Sequence, residues 1–390
     1  MEVHLDEVVV EVDVEVLVEV DGLVEVVRLD EVVRLQFGFV GGLRLVDPAG
    51  VQRLDRRLSR EVTSGAHVAD EQREDLKVSF RSMASDIRFW VVDPAPDAAE
   101  RTERAQQVVE RVATSCTRFD PTSDLMRAND AGGRWTVVAR ECFDALVAAQ
   151  DAHRVTGGLF DPRVLRVLAS YGYDTSLPFE SRRLDLPAAP AKVTRRRGFG
   201  SRTWRPKFDD DRLAVRVGRE PVDLGGIGKG LAVRWASEIL RDAGAAVLVE
   251  AGGDLMAIGS GTDGEGWMIA VENPVGGEEP TAVLRVHDRA VATSSTRVRT
   301  WTVGGTEVHH IIDPRTGRPA EADLASVTVV DEDPAMSEVW SKSLFVTGRA
   351  GIRAAADERG LAVLWVDRSG RVGTSRAMRP YVDWQVSHVA

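Results

Sequence analysis

Valine alternates with acidic residues almost without a break over residues 2–21, the period-two pattern of a half-buried strand, though the run is far longer than a usual strand. Arg-Leu-Asp and Val-Arg-Leu echoes follow, then a charged stretch containing glycine and serine up to Asp75. Residues 1–82 therefore read as a low-complexity extension rich in Val, Glu, Asp and Leu. We expect it to be disordered or not native, with Met83 as the natural start of a single folded domain over 83–390. A β-rich extension with an exposed edge is the competing expectation.

Past Met83 the periodicities become ordinary. Residues 87–92 read as a strand, and 97–114 as an amphipathic helix with Ala98, Ala105, Val108, Val109 and Val112 near one face. A second helix is expected over 143–155. The stretch 181–207 is rich in Arg and Pro around Arg195-Arg-Arg197 and reads as a solvated basic loop. Beyond it, 213–217 alternates as a strand, and glycines lead from Asp223 into a helix over 230–242 that Gly244 stops. Further strands are expected at 246–250, 267–272, 282–286 and 325–330, and a helix over 337–346 closed by Gly348. Mixed helices with antiparallel-looking strands favour an α+β fold over a doubly wound sheet.

Composition narrows the partners. A chain of 390 residues, 43% of them hydrophobic, can bury a large core. Its net charge of −11 argues against nucleic acid as a partner. Only Cys116 and Cys142 are present, so free thiols are expected rather than a disulfide framework or a four-thiolate metal site. No apolar stretch approaches the roughly 18–20 residues of a membrane span. Acids stand at the start where a secretory signal would be basic, so the expected location is cytoplasmic.

Three segments carry candidate chemistry. In Asp223-Leu-Gly-Gly-Ile-Gly-Lys-Gly230 the glycines leave amides uncovered at a helix start, where an anion can approach, and Lys229 adds charge. A tight strand-to-helix turn would look the same, and Gly230 stands where a Walker loop needs Ser or Thr. Gly252-Gly-Asp254 follows a strand as a turn. His309, His310 and Asp313 lack a third ligand at metal spacing, which leaves a general base oriented by Asp313 or a structural histidine in a turn.

In order along the chain, these segments resemble the FAD:protein FMN transferase (ApbE) family. The family's early motif, Met-Ser-x-Tyr-x-Pro-x-Ser-Glu-x-x-x-x-Asn, is matched by residues 116–129, with Pro121, Ser123 and Asn129 identical. Its Gly-x-Phe-Asp-Pro-Thr corresponds to Gly158-Leu-Phe-Asp-Pro-Arg163. The segments 223–230, 251–254, Ala292-Thr-Ser294 and His310-Ile-Ile-Asp-Pro-Arg-Thr-Gly317 complete the series. The resemblance implies an ApbE-like flavin-transferase fold with mixed, largely antiparallel sheets. It implies transfer of FMN from FAD to a threonine hydroxyl of an acceptor protein, releasing AMP, with Mg²⁺ bridging the pyrophosphate. By the same resemblance Cys116, Thr117 and Phe119 lie against flavin or adenine, and Phe160, Asp161 and Arg163 shape the FAD site. Asp223, Gly225, Gly226 and Lys229 face phosphate; Gly253, Asp254 and Ser294 line the cleft; His310 is the base, with Asp313 and Lys229 beside it in the chemistry.

The departures fall at the metal. The family's Ala-Asp-x-x-x-Thr segment has Glu338 and Lys342 at its carboxylate and hydroxyl positions, and Gly228 replaces an alanine whose carbonyl meets Mg²⁺. Glutamate can ligate a cation; an ammonium cannot. At i and i+4 the two are placed to pair. We expect Lys342 to supply part of the metal's charge, with Ser341 or Ser343 restoring a weakened metal site as the competing expectation. Arg163, in the place of a threonine, is expected to reach a phosphate. An FAD-binding protein without transfer activity, or an FAD pyrophosphate hydrolase giving FMN and AMP, are the alternative functions.

Overall fold

The computed structural model describes residues 75–177, 184–186, 204–277 and 279–386, with the backbone of Val8–Val20, Leu23–Leu35 and Leu43–Leu45. Its helices and strands, in chain order, are β1 (Leu76–Ser82), β2 (Ser85–Val92), α1 (Ala98–Ser115), α2 (Asp124–Asp130), α3 (Arg140–Val155) and α4 (Gly228–Leu240). There follow β3 (Ala246–Ala251), β4 (Asp254–Ile258), β5 (Trp267–Val271), β6 (Ala282–Val286), β7 (Arg289–Ser295) and β8 (Leu324–Asp331). The C-terminal part holds α5 (Pro334–Thr347), α6 (Ile352–Arg359), β9 (Ala362–Asp367), β10 (Val372–Thr374) and β11 (Val382–Gln385). Shorter strands of two to four residues and two six-residue helical segments join them.

Strands whose every residue is buried need cover on both faces, and β3, β4 and β9 are of this kind. They sit inside an eight-stranded sheet of order β10-β9-β8-β7-β4-β3-β2-β1, with every pairing antiparallel. Alternation along each strand sends its side chains to two different cores. From β3 and β4, Leu248, Leu255 and Ala257 meet the small sheet of β11, β6 and β5, while Val247, Val249 and Met256 meet α1 and α4. Farther along the same sheet, Val327, Val329 and Val363 pack against Trp340, Leu344 and Phe345 of α5. A further core gathers α2 and α3 around Phe160, Leu224 and Ile227, and so couples the glycine-rich segment to the helices. This is the expected α+β architecture, and among the described residues no helix is long and apolar enough to cross a membrane.

The helix of the apolar stripe runs from Ala98 to Ser115 and buries Ala98, Ala105, Val109 and Val112, as its spacing requires. Strand pairing extends ahead of Met83. Met83 sits at positive φ with Ala84 in the turn between β1 and β2, and β1 pairs along its whole length with β2. Leu76, Val78 and Phe80 face the α1 and α4 core while Lys77, Ser79 and Arg81 face out, a pattern that suits a charged edge strand. Earlier in the extension, Val8–Val20 and Leu23–Leu35 form an antiparallel hairpin of their own, and the backbone of Leu43–Leu45 pairs with β5. Most of the expected basic loop, with Arg195-Arg-Arg197, lies outside the described residues.

Candidate active site

The segment 222–230 is the hub to which the other motifs are tied. The Asn129 side chain brackets the backbone of Val222, accepting from its N–H at 2.8 Å and donating to its carbonyl at 2.9 Å. The next amide, of Asp223, donates to the Pro162 carbonyl at 2.7 Å. The Asp223 carboxylate accepts from the Gly225 amide at 2.8 Å and pairs with Arg118 Nε at 3.3 Å. Arg118 is itself held under aromatic rings: its guanidinium centre lies 4.2 Å from the centroids of both Phe119 and Tyr173, and Nη1 donates to the Tyr173 carbonyl. Phe119 keeps 41% of its surface exposed, an apolar face open to a planar ligand. Nothing in residue type alone marks Arg118 or Asn129 as organising residues, though both lie inside the early motif.

Gly226 is small for reasons of space. A Cβ there would lie 3.0 Å from the Phe160 ring and 3.4 Å from Cδ of Lys342. Phe160 is fixed from behind by its amide on Thr156 Oγ1, at 3.0 Å, and its carbonyl on His153 Nδ1, at 3.0 Å. His153 is thus a further residue that sequence reasoning passed over.

Two ion pairs converge beside this point. At the start of α4, Lys229 pairs with Asp254 at the start of β4. One turn into α5, Lys342 Nζ donates to Glu338 Oε1 at 2.9 Å, and the other oxygen, Oε2, accepts the Gly230 amide at 2.8 Å. Glu338 is completely buried, and although burial acts against ionisation, Lys342 and Lys229 hold its carboxyl below the usual range. Burial pushes Asp254 above its usual range against the pull of Lys229. Burial and the cations Arg299 and Lys342 keep His310 well below the ordinary histidine range, so it is neutral near pH 7 and able to accept a proton. Its Nδ1 lies 3.4 Å from the Arg299 carbonyl.

Several expectations are corrected by these contacts. Asp313 does not orient His310: its carboxylate is clasped by Arg315, with Nε at 2.9 Å and Nη2 at 3.0 Å, and it organises its own turn. Arg163 does not extend toward a phosphate, because its guanidinium folds back on buried Asp161, Nη2 to Oδ2 at 2.7 Å. Asp161 correspondingly spends its oxygens on that pair. Ser294 meets Ser341 Oγ at 2.7 Å across the β7–α5 contact, Ser341 also lies 2.9 Å from the Glu338 carbonyl, and Ser343 donates to the Val339 carbonyl. Gly228 opens α4 with its amide on the Leu224 carbonyl. Thr117 caps the Phe119 amide, Cys116 ends α1, and Gly253, at φ 92°, forms the turn that delivers Asp254. Cys116 and Cys142 are free thiols, and a hydrogen bond with Cys116 followed by burial keeps the Cys142 thiol protonated. His309 is structural, its ring nitrogens taken by the Ala320 carbonyl and the Ile311 amide.

An antiparallel sheet with helices on one face and a small sheet on the other has counterparts among solved structures. The ApbE protein of Thermotoga maritima superposes with a TM-score of 0.66 at 26% identity, covering 79% of this chain and 99% of that one. The flavin transferase ApbE of Vibrio cholerae superposes at 0.67 with 22% identity, covering 79% and 99%. The chain belongs to the ApbE family, whose model matches residues 83–365. The FAD:protein FMN transferase of Haemophilus influenzae is 27% identical over 305 residues, 75% of this chain and 87% of that protein. That of Salmonella typhimurium is 31% identical over 151 residues, 38% of this chain and 43% of that protein, so this match spans less than half of the relative.

Proposed function

We propose that the chain transfers FMN from FAD to the hydroxyl of a threonine in an acceptor protein, with release of AMP. The observation that carries this reading is that Lys342 lies near neutral His310, that Lys342 and Lys229 both act on Glu338, and that the Lys342 stem passes the glycine-rich start of α4 beside Phe160. Phosphoryl transfer asks for these parts: charge on the phosphate oxygens is neutralised while the nucleophile loses its proton in line with the leaving group. The threonine oxygen forms a bond to the FMN phosphorus, the pyrophosphate P–O bond breaks, AMP carries away the electron pair, and the threonine proton passes to His310. Phe119 offers the stacking face for a ring of FAD, and Asp223 with the Gly225 and Gly226 backbone shapes the turn beneath the phosphates. FAD is accordingly a substrate, and an acceptor protein is the partner.

The Mg²⁺ implied by the family does not fit these donors. Both Glu338 oxygens are engaged, one by an ammonium, Asp254 is engaged by another, and among the described residues no three His, Cys, Asp or Glu side chains gather as ligands. No step here runs through a metal.

The test incubates the chain with FAD and a peptide bearing a target threonine, following peptide mass and AMP together. A peptide heavier by FMN with matching AMP supports the reading. AMP without modified peptide would point to hydrolysis instead, and bound FAD without either product to a binding protein.

A further inference from the structure

We propose, on the transferase reading above, that Lys342 takes the place of the divalent cation, so that this chain binds the FAD pyrophosphate through an ammonium group with no bound metal. The first support is the donor set. Each Glu338 oxygen already accepts one hydrogen bond, Oε1 from the Lys342 ammonium and Oε2 from the Gly230 amide, so a metal would have to bind this carboxylate beside a fixed cation. A divalent cation placed on Oε1 would sit against the ammonium already there, with like charges at contact distance inside a site where Glu338 is fully buried.

The second support is where the lysine stands. Its stem runs past Gly226 beside the Phe160 ring, over the turn that opens α4, where a Cβ at position 226 would lie 3.4 Å from its Cδ and 3.0 Å from the ring. The side chain keeps 20% of its surface exposed, so it is not sealed in the core. An ammonium has three N–H donors. Among the described residues only Glu338 takes one of them, and the others are available to phosphate oxygens.

The third support is that charge and position are built in before any ligand arrives. Glu338 keeps Lys342 aimed, the Gly230 amide keeps Glu338 in place, and Lys229 is tied separately to Asp254. A flexible lysine held in this way loses little further freedom on binding an anion. The arrangement predicts that FAD affinity depends on Lys342 and not on Mg²⁺.

Equilibrium binding of FAD to the full chain, measured in EDTA and in excess Mg²⁺, tests this together with the metal content of the purified protein. Expected for the native chain is an affinity that changes less than about threefold between the two conditions, with no stoichiometric Mg²⁺. Lys342→Met, which keeps the stem but loses the charge, is expected to weaken binding roughly 10- to 100-fold in EDTA, the value of one hydrogen bond to a charged group. Lys342→Thr, which frees Glu338 and adds a hydroxyl, is expected to be as weak in EDTA but to recover at least tenfold with Mg²⁺. Lys342→Arg keeps the charge and reports, with thermal melting, whether the helix tolerates change. A native chain that binds FAD only with Mg²⁺, or a Lys342→Met variant that is folded and binds as the native chain does, overturns the inference while leaving the flavin reading intact. A native chain that binds no FAD in either condition overturns both.

Discussion

Glu250 illustrates how burial writes a pH dependence into a single side chain. It lies buried on β3 opposite Arg88, and burial, outweighing Arg88, raises its carboxyl to about 7. The folded state therefore holds a proton that the unfolded chain releases near pH 4.3, so the contribution to stability is complete below that pH and is lost as pH rises toward 7. We expect unfolding free energy to fall by about 3 kcal/mol over this window, and Glu250→Gln to remove that part of the slope in denaturant titrations at stepped pH. His310 gives the opposite readout, in rate. Because burial, Arg299 and Lys342 depress it, the acid limb of transfer activity should lie well below the ordinary histidine range. Lys342→Met should move that limb upward by removing one of the cations. Replacing His310 with Asn should cost roughly 10²- to 10⁴-fold in kcat, measured as AMP release at saturating FAD.

Elements meet at the site through glycine. Gly230 lets α4 approach the start of α5 so closely that a Cβ would lie 2.5 Å from the Pro334 carbonyl and 2.6 Å from Cα of Ala335, both backbone atoms that cannot rotate away. The same approach brings the Gly230 amide to Glu338. Gly230→Ala should therefore destabilise the chain by about 1–3 kcal/mol in chemical denaturation and weaken FAD binding in the same variant. The helix start, the glycines and the lysine at position 229 were readable as a string, and α5 was readable from its apolar positions and Gly348. The N-cap was not anticipated: Asp333 accepts from the Ala335 amide and binds Arg234 of α4, so one carboxylate both starts α5 and docks it. That partnership joins residues far apart in the chain, and no local period announces it.

At the scale of the molecule, the large sheet takes in a strand ahead of Met83. β1 covers the edge of the eight-stranded sheet, so a chain beginning at residue 75 should be more stable than one beginning at Met83 by about 3 kcal/mol in urea unfolding, the value of three half-buried apolar side chains and their strand pairing. The segment was missed because its Lys, Ser and Arg positions resemble the charged stretch before it, and only the neighbouring β2 turns the alternation into a buried face. Local chemistry was legible in the linear order of residues: glycine where backbone must approach, period 3.6 in α1, continuous apolar runs in β3, and the Glu338–Lys342 spacing that places two side chains on one helical turn. These follow from covalent geometry and need no partner. Which oxygen each cation would hold did need one. Asp313 went to Arg315 and Arg163 to Asp161, each partner two residues away in the same turn, while Lys229 went to Asp254 because the packing of α4 against the sheet brings a distant counter-charge within hydrogen-bond distance.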